Sequence, residues 1–500
     1  SLQGGGDTAV LFDLLCKFGV KILSEVDGPF ALAFYDSANG VCSIARDGFG
    51  EKPLYVAIHK ERILGFSSST KSLENIDPEM RSIDHVAMQA FAYLGFIPNN
   101  LTHREKIKSV QAGSVLEIDI RSGSYICNQI NDIFSQKLCS CSKKSNIDSK
   151  IEQILDGSIK RRMRVSPGVK VGLMMSGGLD STLIAERLSH FGADVSAITL
   201  DGTGTVFSEG KEASKISKIL KIKHRIVDPL EFHDESSFRK FYSSLDVPTA
   251  DGLNTWLLSQ IFSEFGMRVV WSGIGADELF MGYPVFKHLN RIKLLRSTLK
   301  LLRLRQMDFP LRGYANHNLR EKLQRMLHLI FSDSRHFSYW ASTRKNLTKF
   351  GDVQFLAEPN PLTNNGYCGE FKHIFHEVSI YLQHQLLRDS DHFSMQNSVE
   401  VRSPFLNLEL LNTMANSGSK YLRKNIGKKF IRNQLKEKNL LKLVQKKKTG
   451  FSIKHSEAEQ KAIFHELGTE GLERHLAENQ KNISAMQLRV LAQWYNVYET

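Results

Sequence analysis

One stretch limits what this chain can fold into more than any other: Val171-Gly172-Leu173-Met174-Met175-Ser176-Gly177-Gly178-Leu179-Asp180-Ser181-Thr182. An apolar run passes through Ser-Gly-Gly straight into a helical pattern, so strand, tight turn and helix follow one another without a loop. Two glycines let the backbone approach a ligand closely, and the free N–H groups of the helix start face whatever lies there. An anion such as a pyrophosphate is the natural occupant. Asp180, in the first helical turn, would then offer a carboxylate to a magnesium ion, which takes oxygen ligands and shares its shell with substrate phosphates. No Gly-Lys-Ser/Thr follows the glycines, so this is not a Walker A loop. Taken alone, Ser-Gly-Gly with an Asp also suits an ordinary βα turn whose acid favours the helix dipole.

The surroundings repeat the same grammar. Strand-like runs at 169–175, 195–200, 224–227 and 267–271 alternate with helical patterns at 179–190, 209–220 and 252–265, which predicts a parallel α/β sheet. A second turn, Trp271-Ser272-Gly273-Ile274-Gly275-Ala276-Asp277-Glu278, closes the last of these strands. Ligands of open α/β sheets bind beyond the carboxyl ends of the strands, so both turns should face one crevice, with Asp180 and Asp277 holding one magnesium. From about residue 285 the pattern is helical and basic, as in Arg291 to Arg296 and Lys300 to Arg305, and reads as solvated amphipathic faces.

The first quarter reads differently. Residues 7–24 carry apolar positions at helical spacing, with Asp7 or Thr8 as N-cap. From Gly28 to about Ile118, short alternating runs at 30–34, 41–45, 54–58, 63–66 and 114–118 predict an antiparallel sheet, with a helix inserted near 84–94. Ser135 to Ser145 is polar, Ser/Lys-rich and aperiodic, so the expected boundary falls in a linker over 126–150, separating 1–125 from 151–500.

The chain has 500 residues, 41% of them hydrophobic and 24% charged, which suits a large globular protein of two domains and excludes a disordered chain. Six cysteines without C-x-x-C spacing argue against a zinc site or disulfide framework, and reduced thiols in a cytoplasmic protein are the expectation. Cys16 and Cys42 read as buried structural thiols, and Cys139 and Cys141 as exposed linker residues. No apolar run reaches spanning length, so no membrane segment is expected, and Ser1 followed by Gly4-Gly5-Gly6 gives no signal-peptide pattern. Lys plus Arg (66) exceed Asp plus Glu (53), and the net charge of +13 suggests phosphate-bearing or carboxylate partners.

Several motifs in one order then carry a resemblance. Ser176-Gly177-Gly178-Leu179-Asp180-Ser181 resembles the pyrophosphatase loop (PP-loop) of enzymes that cleave ATP between its α and β phosphates. Together with Val26 to Asp36, Arg46 to Tyr55, Leu245-Asp246-Val247-Pro248-Thr249-Ala250-Asp251, Leu387 to Asp391, Ser398 to Leu406, Gly427 to Arg432 and Lys448-Thr449-Gly450-Phe451, it is similar to the asparagine synthetase family of glutamine-dependent amidotransferases. The resemblance implies an α/β protein: an incomplete N-terminal α+β sheet of the Ntn-type glutaminase, then a parallel α/β PP-loop ATP-pyrophosphatase domain (adenine nucleotide alpha hydrolase-like) with a helical C-terminal region. It implies ATP and Mg2+ as cofactors, small-molecule substrates, and a homodimer as one possible assembly. By position, Ser176, Gly177, Gly178, Asp180 and Ser181 would bind pyrophosphate and magnesium, Met175, Leu200, Ser272 and Gly273 would line the adenosine, Lys448 would be the catalytic cation beside the α-phosphate, and Asp7 would hold the glutamine amino group.

Two departures matter. The family's glutaminase begins with a nucleophilic Cys, whereas this chain begins with Ser1 already inside that domain, so the polypeptide as it stands is not expected to hydrolyse glutamine. Many relatives carry Glu or Asp where this chain has Ile274, which can neither take a proton nor accept a hydrogen bond from an ammonium group. Asn407 also stands where an Asp commonly follows Pro-Phe-Leu. The leading expectation is an AMP-forming amide ligase making asparagine from aspartate. Its rivals are a relative that amidates or cyclises another carboxylate, an RNA-modifying PP-loop enzyme suggested by the charge, and a non-catalytic partner subunit.

Overall fold

The computed structural model describes residues 6–130, 147–202, 209–232, 235–283, 286 and 370–444. Lys448, Cys139, Cys141, the Ser/Lys-rich stretch and the basic helices expected at 288–305 lie outside the described residues.

The first part is a sandwich of two antiparallel sheets. Strands β1 (Ala31–Asp36), β2 (Val41–Arg46), β6 (Ser114–Asp119) and β7 (Tyr125–Gln129) form one sheet in that order. Strands β4 (Arg62–Ser67), β3 (Tyr55–His59) and β5 (Ile107–Ser109) form the other. Alternation decides the packing: Cys42, Ile44, Leu116 and Ile118 point inward onto Val56 and Ile63 of the facing sheet. The outer face of the first sheet takes helix α1 (Asp7–Phe18) through Leu15, Leu23, Phe30, Ala45 and Val115. Helix α1 ends where Gly19 turns to a φ of 67°, and a 3-10 segment (Val20–Glu25) continues where one long helix was expected. Its N-cap is Gly6, not Asp7 or Thr8, and Cys16 is exposed, since the apolar stripe that meets the sheet runs through Leu11 and Leu15 instead. Cys42 is buried, as expected.

Helices α2 (Thr70–Leu73) and α3 (His85–Leu94) cover the second sheet. Asp84 caps α3 by accepting from Ala87 N, and Gly95 ends it in the left-handed region.

The second part is a five-stranded, wholly parallel sheet. In spatial order it runs β10 (Lys223–Val227), β9 (Ser196–Leu200), β8 (Lys170–Met174), β11 (Met267–Trp271), β12 (Glu400–Arg402). Helices α4 (Ile147–Arg162), α5 (Leu179–His190) and α6 (Gly210–Ile219) lie on one face. Helices α7 (Glu235–Ser244) and α8 (Leu253–Glu264) follow β10, and α8 packs the opposite face through Ile261 and Phe262. Both faces of the central strands are therefore covered, which is why β8, β9 and β11 read as largely apolar runs, unlike the more exposed β10 at the edge. A Cβ at Gly172 would lie 2.6 Å from the Phe262 ring, so the glycine lets α8 seat against β8. After β11 come α9 (Ala276–Leu279) and, past the undescribed stretch, α10 (Phe371–His376), a π-helical segment (Glu377–Leu387), α11 (Arg388–Gln396), α12 (Leu408–Asn416), α13 (Gly418–Asn425) and α14 (Lys429–Glu437).

One apolar cluster is shared by the two parts. Tyr55, Ala57 and Ile107 of the second antiparallel sheet, with Met88 and Phe91 of α3, pack directly on Phe241, Leu245, Trp256, Leu257 and Phe393. At the same seam the Asp246 carboxylate accepts from Ser69 Oγ at 2.6 Å, Thr70 N at 2.9 Å and Lys71 N at 3.1 Å, capping α2 from the other side of the interface. Lys52 Nζ meets Asp391 at 2.6 Å, Ala250 N donates to Gly95 O at 2.7 Å, and Asn407 Nδ2 donates to Asp27 at 2.6 Å. Asn407 thus caps α12 with its oxygen and ties the two parts together with its amide.

Candidate active site

Numbered by their order along the chain, the parallel strands stand in the sequence 3-2-1-4-5 across the sheet. Strand order reverses between β8 and β11, and the crevice beyond the carboxyl ends of those two strands is where such sheets bind ligands. The two turns singled out in the sequence leave the sheet at this point.

In the first turn Gly177 has a φ of 66°, and its missing Cβ lets Ala213 N of α6 approach to 3.1 Å from where that atom would be. Ser176 N donates to Ser181 Oγ at 3.3 Å, Gly178 N to Ser176 Oγ at 3.3 Å, and Thr182 Oγ1 to Gly178 O at 2.6 Å. The loop is thereby folded back on its own helix, with Asp180 in the first turn of α5. In the second turn Ser272 N donates to Arg402 O at 3.0 Å, and Gly275, at a φ of 91°, caps α9. The turns touch: a Cβ on Gly273 would lie 2.8 Å from Asp180 Cβ. Ile274 is half-buried against the large core on the α5 face.

Asp180 and Asp277 converge, as expected, but around a cation the sequence reading did not assign. Lys428 Nζ lies 2.5 Å from Asp180 Oδ2 and 2.7 Å from Asp277 Oδ1, with its side chain 5% exposed. Burial disfavours the ammonium, yet the two carboxylates more than offset this and its pKa is raised. Lys428 sits just before α14 in the left-handed region (φ 60°), held by Lys428 N to Phe280 O at 3.1 Å and Gly427 N to Met281 O at 2.9 Å. Gly282 leaves the room: a Cβ there would fall 2.0 Å from Asp277 Oδ1 and 2.2 Å from Lys428 Cε. Beside this group Tyr283 Oη donates to the buried Glu278, and burial followed by that carboxylate raises the tyrosine pKa.

Met175 (2% exposed), Leu200 (6%) and Ser272 (5%) stand at the ends of β8, β9 and β11, so the residues expected around a nucleoside share the same sheet edge. Asp7 is exposed at the start of α1. It lines a separate groove with Leu11, Phe30, Lys52, Ser69 and Asp391, to which neither Asp180 nor Lys428 contributes. Among the described residues no group of three or more His, Cys, Asp or Glu is placed to hold a metal. Two carboxylates that already face one cation do fit magnesium, which commonly takes one or two carboxylates and completes its shell with water and phosphate oxygens.

A parallel 3-2-1-4-5 sheet with glycine turns and paired carboxylates at its switch point defines a PP-loop type of nucleotide-binding α/β protein. The comparisons name the family: the asparagine synthase model matches residues 150–493 and the glutamine amidotransferase domain model matches residues 1–127. The chain belongs to the asparagine synthase family, a family of carbon–nitrogen ligases that form amides with ATP. It is 24% identical over 467 residues to asparagine synthetase [glutamine-hydrolyzing] 1 of Bacillus subtilis, covering 89% of this chain and 71% of that protein. It is 30% identical over 281 residues to putative asparagine synthetase [glutamine-hydrolyzing] 1 of Methanocaldococcus jannaschii, covering 54% and 47%. Among solved structures, the NH3-dependent NAD synthetase of Campylobacter jejuni aligns over 43% of this chain and 98% of its own at 16% identity, with a TM-score of 0.22, too low to bear on the fold. No helix among the described residues is long and apolar enough to cross a membrane.

Proposed function

We propose that this chain adenylates a carboxylate with ATP and passes the acyl group to ammonia, forming an amide, AMP and pyrophosphate. The convergence of Asp180, Asp277 and Lys428 beyond the ends of β8 and β11 is the observation that carries this reading. The substrate carboxylate oxygen attacks the α-phosphorus and pyrophosphate leaves. Ammonia then attacks the acyl carbon, AMP leaves, and the nitrogen loses a proton. Both steps build negative charge on phosphate oxygens, and charges fixed in advance at that place lower the barrier.

Ser176, Gly177, Gly178 and Ser181 would hold the pyrophosphate, and Met175, Leu200, Ser272 and Gly273 the adenosine. Asp180 and Asp277 would hold magnesium, which when bound neutralises charge on the leaving pyrophosphate. Lys428 is a second cation at that position, and Lys448 of the family motif would act beside the α-phosphate. Asp7 would hold the glutamine amino group where glutamine supplies the ammonia.

Aspartate is the simplest acceptor. Ile274 favours a second reading, amidation or ring closure on another carboxylate, because an apolar side chain stands in the turn that separates Ser272 from Asp277. Pyrophosphate release with ATP and ammonium, measured on aspartate and on a panel of other carboxylates, separates the two. Turnover on aspartate supports the first; turnover only elsewhere selects the second; none on any acceptor, with no ATP–pyrophosphate exchange, overturns both.

A further inference from the structure

Met175, the residue that enters the Ser-Gly-Gly turn, is tied down by a chain of side chains that the motifs do not contain. Its amide donates to Ile198 O at 3.0 Å and its carbonyl accepts from Thr199 Oγ1. Thr199, 2% exposed on β9, is itself 2.8 Å from His224 Nε2 on β10, and His224 Nδ1 is 3.1 Å from Ser214 Oγ on α6. A carbonyl has no proton to give, so Thr199 spends its single O–H on Met175 and accepts from Nε2–H. Nδ1 is then the acceptor and Ser214 the donor. One neutral tautomer completes every bond, and burial, which lowers the histidine's pKa, favours that neutral form.

The chain closes on itself. Ser214 follows Ala213, the residue whose amide lies against Gly177. The path Met175, Thr199, His224, Ser214, Ala213 and Gly177 therefore rings the turn, crossing β8, β9, β10 and α6 and returning to the loop. Leu200, expected at the adenosine, follows Thr199 directly.

We infer that Thr199, His224 and Ser214 are positioning residues that set the Ser-Gly-Gly turn for the nucleotide, so that they govern ATP affinity without entering the chemistry. This rests on the ATP reading above. Loss of the Thr199 hydroxyl would leave the buried Met175 carbonyl without its side-chain donor and release the histidine, while every group proposed to touch the reacting atoms stays in place.

The test is calorimetric titration of the full chain with ATP and Mg2+, alongside pyrophosphate release at saturating ATP. Thr199→Val is expected to weaken ATP binding roughly tenfold, His224→Leu less, and Ser214→Ala about threefold, with kcat within a factor of about two. Thr199→Ser should restore parental affinity, which a role in bulk stability alone would not require. Parental affinity in Thr199→Val, or a fall in kcat at unchanged affinity, overturns the inference. Should Thr199→Val fail to fold, Ser214→Ala at the rim of the ring decides in the same way. A parent chain that binds no ATP overturns the nucleotide reading and the ring's role with it, whereas parent and Thr199→Val binding alike overturns the ring alone.

Discussion

Two aspartate-centred clusters in this molecule differ in what faces them. At the seam, Asp246 accepts from Ser69 Oγ, Thr70 N and Lys71 N, so one helix start takes up most of its acceptor capacity. At the sheet's switch point, Asp180 and Asp277 come from different helices and meet on the Nζ of Lys428. Asp246 at 5% and Asp277 at 9% exposure are buried alike, while the Asp180 side chain is 20% exposed, so burial alone does not mark a functional carboxylate. Backbone donors fixed by local structure make a carboxylate structural, whereas convergence on a side chain that can move makes it available for chemistry.

Removing a carboxylate from each cluster is the sharpest way to break the comparison. Asp180→Ala should lower ATP–pyrophosphate exchange by at least about a hundredfold, since charge placed for the transition state is lost. Its melting temperature should fall less than that of Asp246→Ala, because Asp277 still faces Lys428. Exchange that survives would remove Asp180 from the chemistry. Asp246→Ala should do the reverse. A lost cap and buried N–H groups left without an acceptor cost about 2–3 kcal/mol, seen as a lower urea midpoint, while exchange per folded molecule is kept. An unchanged midpoint would mean that the apolar seam of Phe91, Trp256 and Phe393 holds the two parts together unaided.

The two turns were legible because their chemistry lies in contiguous residues: strand end, glycine, acid and helix start fall within one short window. Lys428 was not, for a physical reason. It stands 248 residues from Asp180 in a run with Lys424 and Lys429, both exposed, and one lysine among several reads as solvated. The hydrogen bonds from Gly427 and Lys428 to Met281 and Phe280, with Phe430 stacked on Phe280, carry it inward, and no local pattern reports them. The strands followed the same rule. Apolar strands such as β8 and β11 were read within a residue or two, whereas β12 is only Glu-Val-Arg, β5 has three residues, and four of the five residues of β7 are exposed. The seam was invisible because Asp246 and Thr70 are 176 residues apart.

A subtler test leaves every charge in place and removes only space. Gly282→Ala should push a methyl into the position now shared by Asp277 Oδ1 and Lys428 Cε. Both side chains are buried and paired, so they must shift together: stability should fall by about 1–3 kcal/mol, and the carboxylate–ammonium geometry changes with the move. Exchange should drop roughly tenfold, the effect of misplacing a charge by about an ångström. Exchange per folded molecule kept at the parent's level would instead make Gly282 a packing residue.

The smallest effect is a slope rather than a loss, and it tests whether the seam is tuned for stability at all. Asp389 is 5% exposed, accepts from Thr249 Oγ1 at 2.5 Å, and has its pKa raised from 3.8 to about 6. Burial is the main cause, only partly opposed by Arg388 and by the Thr249 hydroxyl. Because the folded value exceeds the unfolded one, the native state holds this proton more tightly between about pH 4 and 6, and the stability it contributes declines as pH rises through 6. An asparagine side chain at this position cannot ionise but still offers an oxygen to Thr249. In Asp389→Asn, therefore, urea midpoints measured from about pH 4.5 to 7.5 should gain on the parent's up to roughly pH 7 and then run parallel. Curves parallel throughout would mean that Arg388 keeps Asp389 ionised in the fold, which would make the seam, like the switch point, a place where paired charges outweigh burial.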